Sequence, residues 1–230
     1  MSGPLVKVLM ELRPSMVDKG GVGVFAVAEI SRGERLASGI NDEDYNLLIP
    51  WERFADYDPA LQQKILHFCV GTSEGFIPPE GLDFNMLSID WYFNHSCDGN
   101  LGFDDRGDFV TRKHIMDGEE LTYDYGLAES NPSFQMRCTC ESKNCRTIIT
   151  GNDWQNEDFR RQNIQYMLPK LRRVEVDEVA QADRPVDSDA PRQRSGPGVH
   201  ITSLRGLGKE IWDGQDAQEY VDSERDSWEK

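Results

Sequence analysis

The sequence predicts a mostly β fold with an α-helical insert, and three observations lead there. Short apolar runs of strand length, separated by glycine turns, fill residues 5–40 and return at 86–126. Between them, Leu61, Ile65, Leu66 and Phe68 recur at roughly helical spacing. The cysteines then form a split set, with Cys97 alone and Cys138, Cys140 and Cys145 together further on. Four thiolates suit a closed tetrahedral zinc site, which would fasten the later segment onto the earlier loop.

Taken in order, the candidate strands are Val6-Lys7-Val8-Leu9-Met10, then residues 23–28, then 34–37, with Gly20-Gly21 and Arg32-Gly33-Glu34 as turns between them. The character changes over 41–90. Asp58 reads as a helix N-cap with Pro59 at the first helical position, which predicts a helix over 59–69. Cys69, among Leu66, Phe68 and Val70, reads as a small buried core residue. Residues 71–81, with Pro78-Pro79, read as a loop. Two further strands are expected at 108–111, after a turn at 104–107, and at 120–123. The cysteine cluster occupies 134–150. Asp153 is expected to cap a helix over 154–168, with Phe159, Ile164 and Met167 apolar and Pro169 ending it, inside a C-terminal helical segment at 151–172. Residues 181–230 are rich in Asp, Ser, Gly and Pro, which predicts a disordered acidic tail with room for one short helix near 215–222.

Composition narrows the function classes. Hydrophobic residues make up 38% of the 230, and no stretch is long and apolar enough to span a bilayer, so no membrane association is expected. The N-terminus lacks the basic, apolar and small-residue parts of a secretory signal. That points to the nucleus or cytoplasm, where thiols stay reduced, and five cysteines then suit a metal plus one spare thiol. A net charge of −16 weighs against direct nucleic-acid binding and favours a basic protein partner, the plainer reading being solubility.

Singly, the remaining motifs are weak. Gly21-Val22-Gly23 lacks the third glycine of a dinucleotide fingerprint and reads as a turn. Asn94-His95 is compatible with an ordinary turn holding a buried histidine. Glu119-Glu120 reads as a solvated charge pair. Tyr123 and Tyr125 alternate as a strand would present them, on one face, where core packing is the bland reading. A Cys138–Cys140 disulfide would be strained, while Cys97 bonded to one of the three remains the alternative to zinc.

Together and in this order, the motifs resemble the SET-domain family of protein-lysine methyltransferases, with a post-SET zinc segment. The resemblance rests on Gly21-Val22-Gly23-Val24-Phe25-Ala26, on Asn94-His95-Ser96-Cys97-Asp98-Gly99-Asn100, on residues 119–126 (Glu-Glu-Leu-Thr-Tyr-Asp-Tyr-Gly), and on Cys138-Thr139-Cys140 with Cys145-Arg146. It runs from about residue 5 to 150 and loosely to 172. It implies a SET domain at 5–126 with the 41–90 insert, and small curved β-sheets around a knot-like crossing of the central and C-terminal motifs. It implies S-adenosylmethionine as methyl donor, bound by Gly21, Val22, Gly23, Asn94, His95, Tyr125 and Trp154. Tyr125 would be the catalytic tyrosine, and Tyr123 a second catalytic residue whose hydroxyl limits the product to mono- or dimethyl-lysine. One structural zinc would be held by Cys97, Cys138, Cys140 and Cys145. Asp124 is expected to brace its neighbours rather than act as a base. Trp154 covers the cofactor or the lysine channel, or else anchors the last helix. The implied substrate is a lysine in a histone tail or another basic protein.

Three positions depart from the family pattern. Gly99 stands where proline is usual, which is expected to loosen the turn. Trp91 stands where many members carry arginine, and Thr147 where glycine is common. Two other function classes are a catalytically silent SET fold used as a binding module and an acidic adaptor working through its tail.

Overall fold

A β-rich stretch whose strands carry bulky apolar residues at every second position must bury one face. Here the burial falls on a main sheet and two small ones. The computed structural model describes residues 9–79 and 82–174. Its strands are β1 (Met10–Pro14), β2 (Val22–Ala26), β3 (Arg35–Ala37), β4 (Ile49–Pro50), β5 (Val70–Gly71), β6 (Gly75–Ile77), β7 (Asn94–His95), β8 (Leu101–Phe103), β9 (Phe109–Thr111), β10 (Glu120–Tyr123), β11 (Gln135–Arg137) and β12 (Ile148–Thr150). The helices are α1 (Trp51–Phe54), α2 (Pro59–Phe68), α3 (Glu157–Asn163) and α4 (Pro169–Arg173). Among the described residues no helix is long and apolar enough to cross a membrane.

The main sheet runs β1-β2-β10-β8-β9-β3, and β7 adds to β10. β10 is antiparallel to β2 but parallel to β7 and β8. Pairing of Thr122 with Asn94 and of Tyr123 with His95 sets the central and C-terminal motifs side by side. Beneath the sheet lie Val24, Ile30, Leu101, Phe103, Ile115, Leu121, Leu127, Met167 and Leu168, all fully buried or nearly so. Each such side chain contributes about 2 kcal/mol of transfer free energy.

The insert has its own small core. Ile49, Ile65 and Phe76 pack with Trp51, Phe54, Leu61 and Cys69 over the three-stranded sheet β4-β6-β5. Asp58 caps α2 by accepting from the Leu61 N–H at 3.0 Å, with Pro59 at the first helical position, as the sequence predicts. Cys69 is packed in that core, and burial pushes its thiol up to about 12.

Several boundaries differ from the sequence expectation. The first strand lies at Met10–Pro14 rather than 6–10, residues 6–8 being outside the described part. Its position is fixed by pairing with β2, Met10 opposite Ala26 and Pro14 opposite Val22. The expected loop at 71–81 contains a tight hairpin, β5 to β6, closed by Thr72, whose hydroxyl accepts from Gly75 N–H. The single helix over 154–168 is broken into a 3₁₀ turn, α3, and a second 3₁₀ turn. Asn156, not Asp153, caps α3 by accepting from Phe159 N–H at 3.0 Å. Pro169 begins α4 at its first position, where its missing N–H costs nothing, rather than ending the preceding helix. The tail and the short helix expected in it fall outside the described residues.

Candidate active site

The four cysteines converge from two distant segments. Their sulfurs all lie within 4.8 Å of one another. Tetrahedral zinc with bonds of about 2.3 Å needs sulfur separations of about 3.8 Å, and Cys97 Sγ lies 3.8 Å from Cys138 Sγ. Backbone N–H groups point at three of the sulfurs: Cys140 N–H at Cys138 Sγ, Arg146 N–H at Cys97 Sγ, and Thr147 N–H at Cys145 Sγ, each 3.4 Å. Cys140 Sγ has Ser142 Oγ at 3.3 Å instead. Such donors suit thiolates, so the donor set fits a zinc ion. Thr147 adopts φ +62°, a strained region for a β-branched residue, because its N–H and C=O are both committed here, the latter to Cys138 N–H at 2.8 Å. A glycine would fit that backbone without strain.

His95 joins this centre to the C-terminal motif. Its Nδ1 accepts from Tyr125 N–H at 3.0 Å, so the proton sits on Nε2, which faces Cys97 Sγ at 3.4 Å. Burial pushes its pKa down to about 4, against the pull of Asp124, and the ring stays neutral. Asp124 is the brace the sequence implied. It is 2% exposed, accepts from Gly126 N–H at 3.0 Å, and takes both guanidinium nitrogens of Arg146 at 2.6 Å. Arg146 also reaches Asp153 at 2.9 Å and lies over the Phe159 ring.

Tyr123 and Tyr125 come together although only Tyr123 lies in β10; Tyr125 opens a 3₁₀ turn capped by Asp124. Their rings are 4.9 Å apart, and Tyr123 also packs on Phe103 and Phe109. The Tyr125 hydroxyl donates to Phe93 C=O at 3.3 Å. Burial holds both hydroxyls well above their ordinary pKa, so both stay protonated at neutral pH.

The glycine turn meets Asn94 through Val22, whose C=O accepts from Asn94 Nδ2 at 2.9 Å. A Cβ on Gly23 would lie 2.2 Å from Glu120 Oε1, and one on Gly21 2.1 Å from Asp18 Oδ2. Both glycines therefore serve local crowding by carboxylates. Trp154 is buried in the main core, 6% exposed, and anchors the last segment. Its indole N–H has no acceptor among the described residues.

Two expectations are corrected. Gly99 does not loosen its turn: its N–H donates to Ser96 C=O at 3.1 Å, and a Cβ there would lie 2.7 Å from Tyr123 Cα. Proline could make neither the bond nor the fit. Glu120 is not solvated: it is 8% exposed and accepts from Ser15, Met16 and Asn94. A glycine inside β2 was the signal that something approaches there. Glu129 gave no signal. It is buried after the Tyr125 turn, accepts from Gly71 N–H at 2.9 Å and Asn131 N–H at 3.1 Å, and is pushed up to about 7 by burial. Trp91 lines a cavity of about 470 Å³ with Pro79, Asp83, Met86 and Ser88.

Comparison with known proteins follows the same segments. The SET domain family model matches residues 21–126. Histone-lysine N-methyltransferase ash1 of Drosophila melanogaster is 32% identical over 93 residues, covering 37% of this chain and 4% of that protein. Histone-lysine N-methyltransferase Set2 of the same species is 39% identical over 71 residues, 28% of this chain and 3% of that one. The matches thus span only a few per cent of those relatives' own length. A solved structure of a humanized mutant of the Chaetomium thermophilum Polycomb Repressive Complex 2, bound to the inhibitor GSK126, aligns over 53% of this chain and 15% of that one, at 24% identity and TM-score 0.37.

Proposed function

Residues 21–126 constitute a SET domain, and from that premise we propose that this chain methylates the ε-amine of a protein lysine, using S-adenosylmethionine. The carrying observation is the register of β7 on β10, with Thr122 opposite Asn94 and Tyr123 opposite His95, and with the two tyrosine rings in contact. The methyl donor, when bound, supplies an electrophilic methyl on a positively charged sulfur. What remains for the protein is to align, to dehydrate and to control the proton.

In this reading Gly21, Val22, Gly23, Asn94 and His95 hold the cofactor, while Trp154, buried in the main core, serves as the anchor of the last segment instead. Tyr125 orients the incoming amine. As a protonated phenol it aligns the lone pair and is no base. Free lysine has a pKa of about 10.4. Loss of water in a buried channel favours the neutral amine that attacks. Tyr123, with no hydrogen-bond partner for its hydroxyl among the described residues, holds the amine or a water and crowds out further methyl groups. Cys97, Cys138, Cys140 and Cys145 hold one zinc, which stabilises the segment packed behind Tyr125. Substrate choice falls to a basic partner, a histone tail or another lysine-containing segment, attracted by the net charge of −16.

The test is transfer of labelled methyl from S-adenosylmethionine to core histones and to an acid-soluble extract, with Tyr125→Phe alongside. Label in a histone band that falls by two or more orders of magnitude in the variant is expected. Label confined to other proteins would keep the enzyme and move the substrate outside chromatin. No label from folded, zinc-loaded protein would replace this reading with a silent binding module.

A further inference from the structure

Glu120 sits where the glycine turn, β7 and β10 meet. Three donors, none of them charged, converge on its carboxylate. Ser15 Oγ donates at 2.7 Å and Asn94 Nδ2 at 3.2 Å to Oε1, and Met16 N–H donates at 2.7 Å to Oε2. The polarity of this network is forced. A carboxylate and the Val22 carbonyl are acceptors only, so the Asn94 nitrogen must face both of them. Ser15 spends its single proton on Glu120 and accepts from Asn94 Nδ2 at 3.1 Å, and from the Val17 and Asp18 N–H groups. Asn94 Nδ2 is thus held by Val22, Ser15 and Glu120, and its Oδ1 has no partner among the described residues. Gly23 is part of the arrangement, since a Cβ there would collide with Glu120 Oε1 at 2.2 Å and crowd Asn94 Nδ2 at 3.3 Å.

Among the described residues no cationic side chain pairs with this carboxylate, so a positively charged group of a ligand in front of Asn94 would meet an unneutralised negative charge behind it. We propose that Glu120 is a positioning residue that locks the Asn94 amide with its oxygen towards the cofactor's α-ammonium group and adds a buried negative charge behind it. This rests on the cofactor reading given above. Glu120 touches Asn94, and it is Asn94 that would touch the ligand. A neutral amide at position 120 would offer an N–H where Asn94 needs an acceptor. The Asn94 amide would then turn its own N–H₂ towards the ammonium.

Calorimetric titration of the zinc-loaded full chain distinguishes this role from a merely structural one. Two ligands are compared, S-adenosylhomocysteine and its analogue with hydrogen in place of the α-amino group. Wild type should prefer the amine-bearing ligand. Glu120→Gln should weaken S-adenosylhomocysteine roughly tenfold or more, while the analogue stays within about twofold. Equal weakening of both ligands, or none of either, would overturn the proposal. Should the glutamine variant fail to fold, Glu120→Asp keeps an acceptor-only carboxylate but draws it back from Asn94. A smaller loss confined to the amine-bearing ligand is then expected, and a loss shared by both overturns the idea. Wild-type protein that binds neither ligand would overturn the cofactor reading itself and this inference with it, whereas a failure confined to the variant leaves that reading standing.

Discussion

One hydroxyl separates Tyr123 from phenylalanine, and its surroundings give that atom consequence. The ring is fixed by Phe103, Phe109 and Tyr125, so the hydroxyl cannot swing aside. Tyr123→Phe should therefore move the product from mono- and dimethyl-lysine to higher methylation without unfolding the protein. Mass spectrometry of a peptide product reads this, and abundant trimethyl-lysine from wild type would contradict it. Glu129 acts on stability instead. Burial lifts its pKa from 4.5 to about 7, so the folded state holds a proton that the unfolded state has released. The associated stabilisation is complete below about pH 4.5 and is lost as pH rises through 7; a shift of this size corresponds to roughly 3 kcal/mol. His95 works in the opposite sense: with its pKa pushed down from 6.5 to about 4, its contribution is present above 6.5 and is lost as pH falls towards 4. The two are separated by comparing wild type with Glu129→Gln in urea unfolding at pH 5 and pH 8. The variant should gain on wild type by about 2 kcal/mol at the higher pH, and parallel pH dependences would contradict the assignment.

At the scale of elements, Arg146 is one tie between the segment after the cysteines and the end of β10. Its guanidinium neutralises Asp124, whose side chain is only 3% exposed, and reaches Asp153 at the start of the following 3₁₀ turn. Arg146→Met would strand that carboxylate in the interior, at a cost of about 3–5 kcal/mol. Chemical unfolding of the zinc-loaded variant checks this, and a loss under about 1 kcal/mol would mean the pair is solvated and expendable. Arg146 stands in the sequence beside Cys145 and was legible as part of a motif, but not as the partner of Asp124, because the pairing joins segments with no periodic relation. The same limit explains the other differences. α2 was legible because its cap, its proline and its apolar spacing are local. β10 was legible because its own residues carry the pattern. β5 and β6 are too short for a period to register, and the division of the segment after residue 151 follows from Asn156 starting α3 and Pro169 starting α4. In the candidate site, the cysteines and both tyrosines could be read from motifs. Glu129 could not, since what makes it matter is burial by distant chain, and for Glu120 the one hint was the glycine inside β2 that leaves room for it.

Among the described residues the molecule is built from a main sheet, two small sheets and a separate insert core. The cysteine centre joins the loop that carries Cys97 to the hairpin β11–β12, beside the Arg146–Asp124 pair. Metal binding at such a site is coupled to folding. Chelation should lower the melting temperature and abolish methyl transfer together, and added zinc should restore both. A preparation with far less than one zinc per chain and full activity would contradict this. The same centre also has a consequence in time. Cys138 follows Cys97 by 41 positions. At synthesis rates of about 5–20 residues per second, it leaves the ribosome roughly 2–8 seconds after Cys97 does. During that interval β7 and β10 can pair, but His95 faces a lone thiol and nothing yet covers Asp124. The nascent chain thus passes through a stage in which Cys97 has been made but the three cysteines that complete its cluster have not.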